Sequence, residues 1–219
     1  MAGNTNVLKW NMDHGLKNID TTRPWTLKPY HELECPQLKQ IRAESIDWLE
    51  KNIPDYKTKT GFWHRINYKD LARKCPSILE WCKFIRVPAR EISIAILTEA
   101  MAGKGVALHV GAKPLIVKIN IPICNTNDVY TEWFDIPQDV LNGLPITKNP
   151  FGESIIDLDD LDNTVADTYP RIVRYEMSDY PIIFNSQIPH RVVVGKNATF
   201  PRILISIIPI KDPVHFLGH

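Results

Sequence analysis

Two histidines sit at the ends of apolar, β-branched stretches far apart in the chain: His109 in Leu108-His109-Val110-Gly111, and His190 in Ile188-Pro189-His190-Arg191-Val192. Imidazole is the commonest protein ligand for iron and zinc, so two strand-end histidines form a candidate metal site. Taken singly, each is more often a hydrogen-bonded structural histidine. Arg202, in Pro201-Arg202-Ile203-Leu204-Ile205-Ser206, adds a third element. On a strand Arg202, Leu204 and Ser206 share a face. A guanidinium turned into an apolar interior needs an anion, and its planar fork matches a carboxylate. No acidic residue occurs between Arg191 and Val194. A bound dicarboxylate is therefore one candidate partner, and an internal ion pair to an acidic loop is the other.

The elements that must position these residues change character along the chain. Pro36 starts a predicted helix with an apolar face of Leu38, Ile41, Trp48 and Leu49. Asp55 to Gly61 is a polar break, Leu71 marks a second helical segment, and Pro76 restarts the pattern at Ile78, Leu79, Cys82 and Ile85. From about residue 91 onward short β-branched runs take over, at 92–97, 106–110, 115–123, 172–177, 182–184, 191–194 and 202–210. The expected fold is mainly β with a helical N-terminal part, the strands forming a sandwich or barrel of the jelly-roll type. The expected organisation is a single domain over 1–219: helical support at 1–90, a β unit at 91–219, and a loop insertion at 138–168. That insertion carries Asp157, Asp159, Asp160 and Asp162 without the glycine and final glutamate of an EF-hand. It reads as a solvated acidic loop placed to act as a lid.

Bulk properties narrow the function classes. The 219 residues are 44% apolar and 23% charged, ordinary values for one globular domain. Lys and Arg total 26 against 25 Asp and Glu, so no global field points to nucleic acid or an anionic membrane. Met1 to Asn18 contains no apolar run, and the four cysteines show no CxxC spacing. The expectation is a soluble, cytoplasmic protein with reduced thiols and a small-molecule or amino-acid-like substrate. Neither nucleic acid nor membrane is an expected partner.

Longer segments carry a family resemblance. Tyr180-Pro181-Ile182-Ile183-Phe184-Asn185, Pro189-His190-Arg191-Val192 and Pro201-Arg202-Ile203-Leu204-Ile205-Ser206 resemble the C-terminal half of small aspartyl/asparaginyl hydroxylase-like oxygenases dependent on iron(II) and 2-oxoglutarate. Upstream, His109, Lys118-Ile119-Asn120-Ile121-Pro122 and Thr131-Glu132-Trp133-Phe134 resemble the matching N-terminal half. The resemblance spans residues 91 to 210. It implies a double-stranded β-helix (jelly roll, cupin-like) braced by helices, with Fe(II) on His109 and His190. Arg202 would hold the distal carboxylate of 2-oxoglutarate, with Ser206, Asn120 and Trp133 as further pocket residues. Ser206 departs from the pattern by standing four residues after the arginine rather than two. Arg174 and Lys113 are candidate substrate contacts or plain solvated cations.

Gly111 is the main departure. The family's first iron motif is His-x-Asp or His-x-Glu, and glycine offers no side-chain ligand; the family's halogenating branch has Gly or Ala there, with a halide bound in the carboxylate's place. Three readings stay open. Chloride binds beside the histidines and the enzyme is a halogenase; or water, Glu132 or Asp135 replaces the ligand and the enzyme is a hydroxylase; or the chain is a non-catalytic binding descendant. Outside the family, a cupin isomerase or dioxygenase is a rival, though no His-x-His pattern surrounds His109, and a jelly-roll assembly protein is another.

Overall fold

The computed structural model describes residues 27–58, 62–66, 68–102, 105–111, 116–142, 146–148, 154–157, 167–177 and 179–218. Two six-stranded antiparallel sheets dominate it. The strands are β1 (Tyr30–Glu32), β2 (Phe62–Arg65), β3 (Ala89–Leu97), β4 (Val106–Gly111), β5 (Val117–Cys124), β6 (Val129–Phe134), β7 (Ile146–Lys148), β8 (Ser154–Asp157), β9 (Arg171–Glu176), β10 (Ile182–Asn185), β11 (His190–Val194) and β12 (Arg202–Pro209). The first sheet runs β1-β10-β5-β12-β3-β2 and the second β7-β8-β4-β11-β6-β9.

Strand alternation explains the layering. Ile203, Ile205 and Ile207 of β12 join Ile92, Ile94 and Ile96 of β3 and Ile119 and Ile121 of β5 on one face of the first sheet. Helices α1 (Leu38–Asn52), α2 (Tyr68–Lys74) and α3 (Pro76–Phe84) supply Leu38, Ile41, Trp48, Leu49, Leu71, Ile78 and Trp81 to the same cluster. Each fully buried isoleucine contributes about 1.5–3 kcal/mol, so this layer anchors β12 firmly. Polar ties reinforce it. Arg42 Nε of α1 donates to Pro122 O of β5 at 3.0 Å, and the Glu44 carboxylate accepts from the Ser77 N–H and hydroxyl at the start of α3. The opposite face, carrying Ala95, Leu204, Ile182 and Phe184, packs with Trp133 of the second sheet.

The helices and seven predicted strands fall where the periodicity placed them, with ends shifted by a few residues. Strands β1, β2, β7 and β8 are short, and what fixes them is pairing to a sheet already present rather than their own pattern. The stretch 138–168 is less of a loop than expected: it holds α4 (Gln138–Asn142), β7 and β8, the last two extending the second sheet beyond β4. Asp157 is the last residue of β8, while Lys113, Asp159, Asp160 and Asp162 lie outside the described residues. Strand β12 pairs with β3 and β5, so β11, whose lack of acidic residues bore on Arg202, belongs to the other sheet.

Candidate active site

His109, His190 and Trp133 stand in one row across the second sheet. His190 of β11 is in register with His109 of β4 on one side and with Trp133 of β6 on the other. The two imidazoles are 4.3 Å apart between ring centroids, and Phe184 of the first sheet meets His190 edge-on at 5.5 Å. The row therefore faces the space between the sheets.

Both rings are oriented in the same way. Nδ1–H of His109 donates to Ala107 O at 2.8 Å, and Nδ1–H of His190 donates to Ile188 O at 2.8 Å. A carbonyl can only accept, so each Nδ1 carries a proton, and in the neutral ring the lone pair is on Nε2. This is the arrangement a metal-binding imidazole uses. Burial, and next the neighbouring His109, hold His190 well below the usual imidazole range, with Lys118 adding to the effect. The ring is neutral near pH 7, as ligation requires. Among the described residues no third His, Cys, Asp or Glu side chain joins the pair.

The first sheet supplies Arg202, Asn120 and Ser206. Arg202 shares its face with Leu204, which packs in the cluster that holds Trp133. It is only 5% exposed, no carboxylate among the described residues pairs with it, and its Nε has no hydrogen-bond acceptor. Desolvation alone lowers its pKa to about 10. Trp133 Nε1 and Asn120 Oδ1 are likewise buried without partners among the described residues. Asn120 is level with Ser206, about 13 Å along the strand from Arg202, which leaves Arg202 and Trp133 as the two unmatched donors of the site. That is a fit to an anionic ligand, since unmatched buried groups otherwise cost about 1–3 kcal/mol each. Ser206 is placed apart. It stands opposite Asn120 and Ser93, about 13 Å along the strand from Arg202, and Leu204 takes the position two residues after the arginine.

Gly111 has a packing role that the motif did not suggest. Its N–H donates to Ser186 O at 2.7 Å, its carbonyl accepts from Gln187 Nε2, and a Cβ added to it would lie 2.8 Å from Ser186 Oγ. The end of β4 is pressed against the turn between β10 and β11, and glycine permits that approach. The two substitute carboxylates considered from sequence stand away from the histidines. Glu132 alternates with Trp133, so it faces away from the histidines. There Arg171 Nη1 and Arg191 Nε each reach its carboxylate at 2.8 Å, with Arg174 at 3.6 Å. Asp135 is exposed beyond the end of β6. Arg174 lies over the Tyr130 ring, 3.8 Å from its centroid, on the Glu132 side of the sheet.

Neither a protein-family model nor a curated protein matches the chain. Among solved structures, the non-heme alpha ketoglutarate dependent carbocyclase SnoK from nogalamycin biosynthesis overlays with a TM-score of 0.51. It has 11% identity and covers 88% of this chain and 84% of its own. The non-heme alpha ketoglutarate dependent epimerase SnoN overlays with a TM-score of 0.51, at 11% identity over 89% and 82%. The chain shares their fold. HygX from Streptomyces hygroscopicus, solved with nickel and 2-oxoglutarate bound, has a TM-score of 0.48 at 10% identity over 85% and 84%.

Sequence reasoning passed over Lys118, which the strand pattern puts on the inner face. Lys118, Asn120 and Pro122 alternate with Val117, Ile119 and Ile121, which face the helices, and Lys118 is in register with Phe184. A cation inside an otherwise apolar alternating run was the available signal. No helix among the described residues is long and apolar enough to cross a membrane.

Proposed function

We propose that this chain is a non-heme iron(II)- and 2-oxoglutarate-dependent enzyme acting on an unactivated C–H bond, built on a double-stranded β-helix. Strand order supports the fold reading. β10-β5-β12-β3 form the middle of one sheet, and β4-β11-β6-β9 run from the interior of the other to its edge. Successive members of this set switch sheets at every connection except β6 to β9, as in a jelly roll. The remaining four strands extend the edges.

The observation that carries the functional reading is Arg202: a buried cation with an unmatched N–H, on the face turned toward two tautomer-locked histidines. His109 and His190 would hold the iron through Nε2. Arg202 takes the distal carboxylate of 2-oxoglutarate in bidentate fashion, and Trp133 Nε1 offers a second donor to the same ligand. Iron(II) with 2-oxoglutarate supplies dioxygen activation for attack on a C–H bond. The protein's part is to orient both groups in a space that Phe184, Trp133 and Leu204 keep dry.

Gly111 leaves two outcomes for that chemistry. Without a carboxylate beside the histidines, a chloride would complete the ligand set and the product would be halogenated; with water or a carboxylate from elsewhere in the chain in that place, the product would be hydroxylated. The test of the shared reading is 2-oxoglutarate binding to the manganese(II)-loaded protein by calorimetry. Arg202→Met should weaken it by at least about a hundredfold, the worth of a charge-assisted pair with a desolvated partner. Unchanged binding would contradict the assignment of Arg202.

A further inference from the structure

We infer that Asn120 and Lys118, alternate residues on the inner face of β5, form a substrate subsite separate from the place of the cosubstrate, and that it takes a small carboxylic acid carrying an amino or hydroxyl group. The inference rests on the reading that iron and 2-oxoglutarate meet between the sheets, and it names the substrate class of that same site.

An unmatched acceptor is the first ground. Asn120 Oδ1 is buried and has no hydrogen-bond partner among the described residues. Such an atom costs about 1–3 kcal/mol until a donor reaches it. The ionised cosubstrate has only acceptor oxygens, so it cannot serve; an ammonium or a hydroxyl group can. Register separates the atom from the cosubstrate anchor as well. Asn120 is paired with Ser206, about 13 Å along the strand from Arg202.

Charge and position are the second ground. Val117, Ile119 and Ile121 face the helical layer, so Lys118 and Asn120 alternate onto the face turned to the second sheet. Lys118 is in register with Phe184, whose ring meets His190 edge-on at 5.5 Å, and its field reaches His190. Asn120 is in register with Ile182, which belongs to the same apolar cluster as Phe184 and Trp133. Lys118 lies beyond Asn120 from Arg202, so the two cations stand toward opposite ends of the inner face. An ammonium on a flexible stem takes an anion as a point charge. Side chains two apart on a strand start about 6–7 Å from each other, a span that a carboxylate at Lys118 and a neighbouring donor at Asn120 can bridge in one small molecule. Phe184, Ile182 and Trp133 then cover its carbon skeleton beside the histidines.

The test is calorimetry on the full-length protein, loaded anaerobically with manganese(II) and saturated with 2-oxoglutarate. The probes are the L-amino acids, the matching 2-hydroxy acids, the matching acids with neither group, and the matching amines without a carboxylate. At least one amino or hydroxy acid should bind wild type, at least about tenfold more tightly than the plain acid or the amine of the same skeleton. Lys118→Met should weaken that probe at least about tenfold. Asn120→Leu should bring it down to the level of the plain acid, whose own affinity stays as it was. Both variants should keep the wild-type affinity for 2-oxoglutarate, which Arg202→Met loses. If Asn120→Leu does not fold, Asn120→Ala and the comparison of probes on wild type decide. Wild type that binds 2-oxoglutarate but none of the acids, or an acid whose affinity neither substitution changes, would overturn the inference and leave the metal and cosubstrate reading standing. So would loss of 2-oxoglutarate binding in either variant, which assigns that residue to the cosubstrate. A wild-type protein that binds no 2-oxoglutarate overturns both.

Discussion

Arg202 has been stripped of water by folding, and the described residues offer its Nε no acceptor. Such a cation is a cost to the ligand-free protein, and desolvation alone brings its pKa down to about 10. Arg202→Met should therefore raise the stability of the ligand-free protein by about 1–3 kcal/mol, while removing the stabilisation that added 2-oxoglutarate gives the metal-loaded wild type. Thermal melts with and without the cosubstrate check both signs at once; an arginine with a purely structural role would lower stability in both. The histidines and Arg202 were legible as candidates from residue chemistry and strand position, and Asn120 and Trp133 only through the family resemblance. The role of Gly111 in backbone packing was not, since it depends on Ser186 and Gln187 of a turn far away in sequence. The four-residue spacing already set Ser206 off from the family pattern, and the strand puts Leu204 between it and Arg202.

Among the elements, β6 divides its duties by alternation. Trp133 faces the histidines, and Glu132, 1% exposed, faces Arg171, Arg174 and Arg191 on the other side. Glu132→Gln should cost about 2–3 kcal/mol, less than breaking a fully buried ion pair because Arg171 and Arg174 are partly exposed, with metal affinity unchanged. Chemical denaturation and cobalt titration of the same variant check this, and loss of metal binding without loss of stability would restore Glu132 as a ligand. The charged residue inside Val129–Phe134 is also why this strand lacks the apolar run by which the others were read. The edge strands β7 and β8 were illegible for another reason. β8 is fixed by its pairing to β4 and β7 by its pairing to β8, so neither is specified apart from the sheet it joins.

At the scale of the whole molecule, one layer of helices on the first sheet and one interface between the sheets account for most of the core. The reduced thiols lie in the helical layer. Burial pushes Cys75 and Cys82 up to about 12 and Cys35 up to about 11, from an ordinary value of 9.0. Above pH 9 the unfolded chain releases thiol protons that the folded chain retains, so stability should fall as pH rises from 9 toward 12. Thiol reagents should in turn label these cysteines at the rate of unfolding; denaturant midpoints across that range, and rapid labelling of native protein as the contrary result, test the layer. The helices and β-branched runs made the fold class readable from sequence, whereas the partition of the strands between two sheets needed the pairings themselves. The central claim is that iron(II) and 2-oxoglutarate meet between the sheets, and anaerobic titration of the iron(II)-loaded protein with 2-oxoglutarate tests it most directly. A visible metal-to-ligand charge-transfer band should grow to saturation in wild type, be lost in His190→Ala, and require far more 2-oxoglutarate in Arg202→Ala. No band in folded wild-type protein, or a band indifferent to both substitutions, would contradict it.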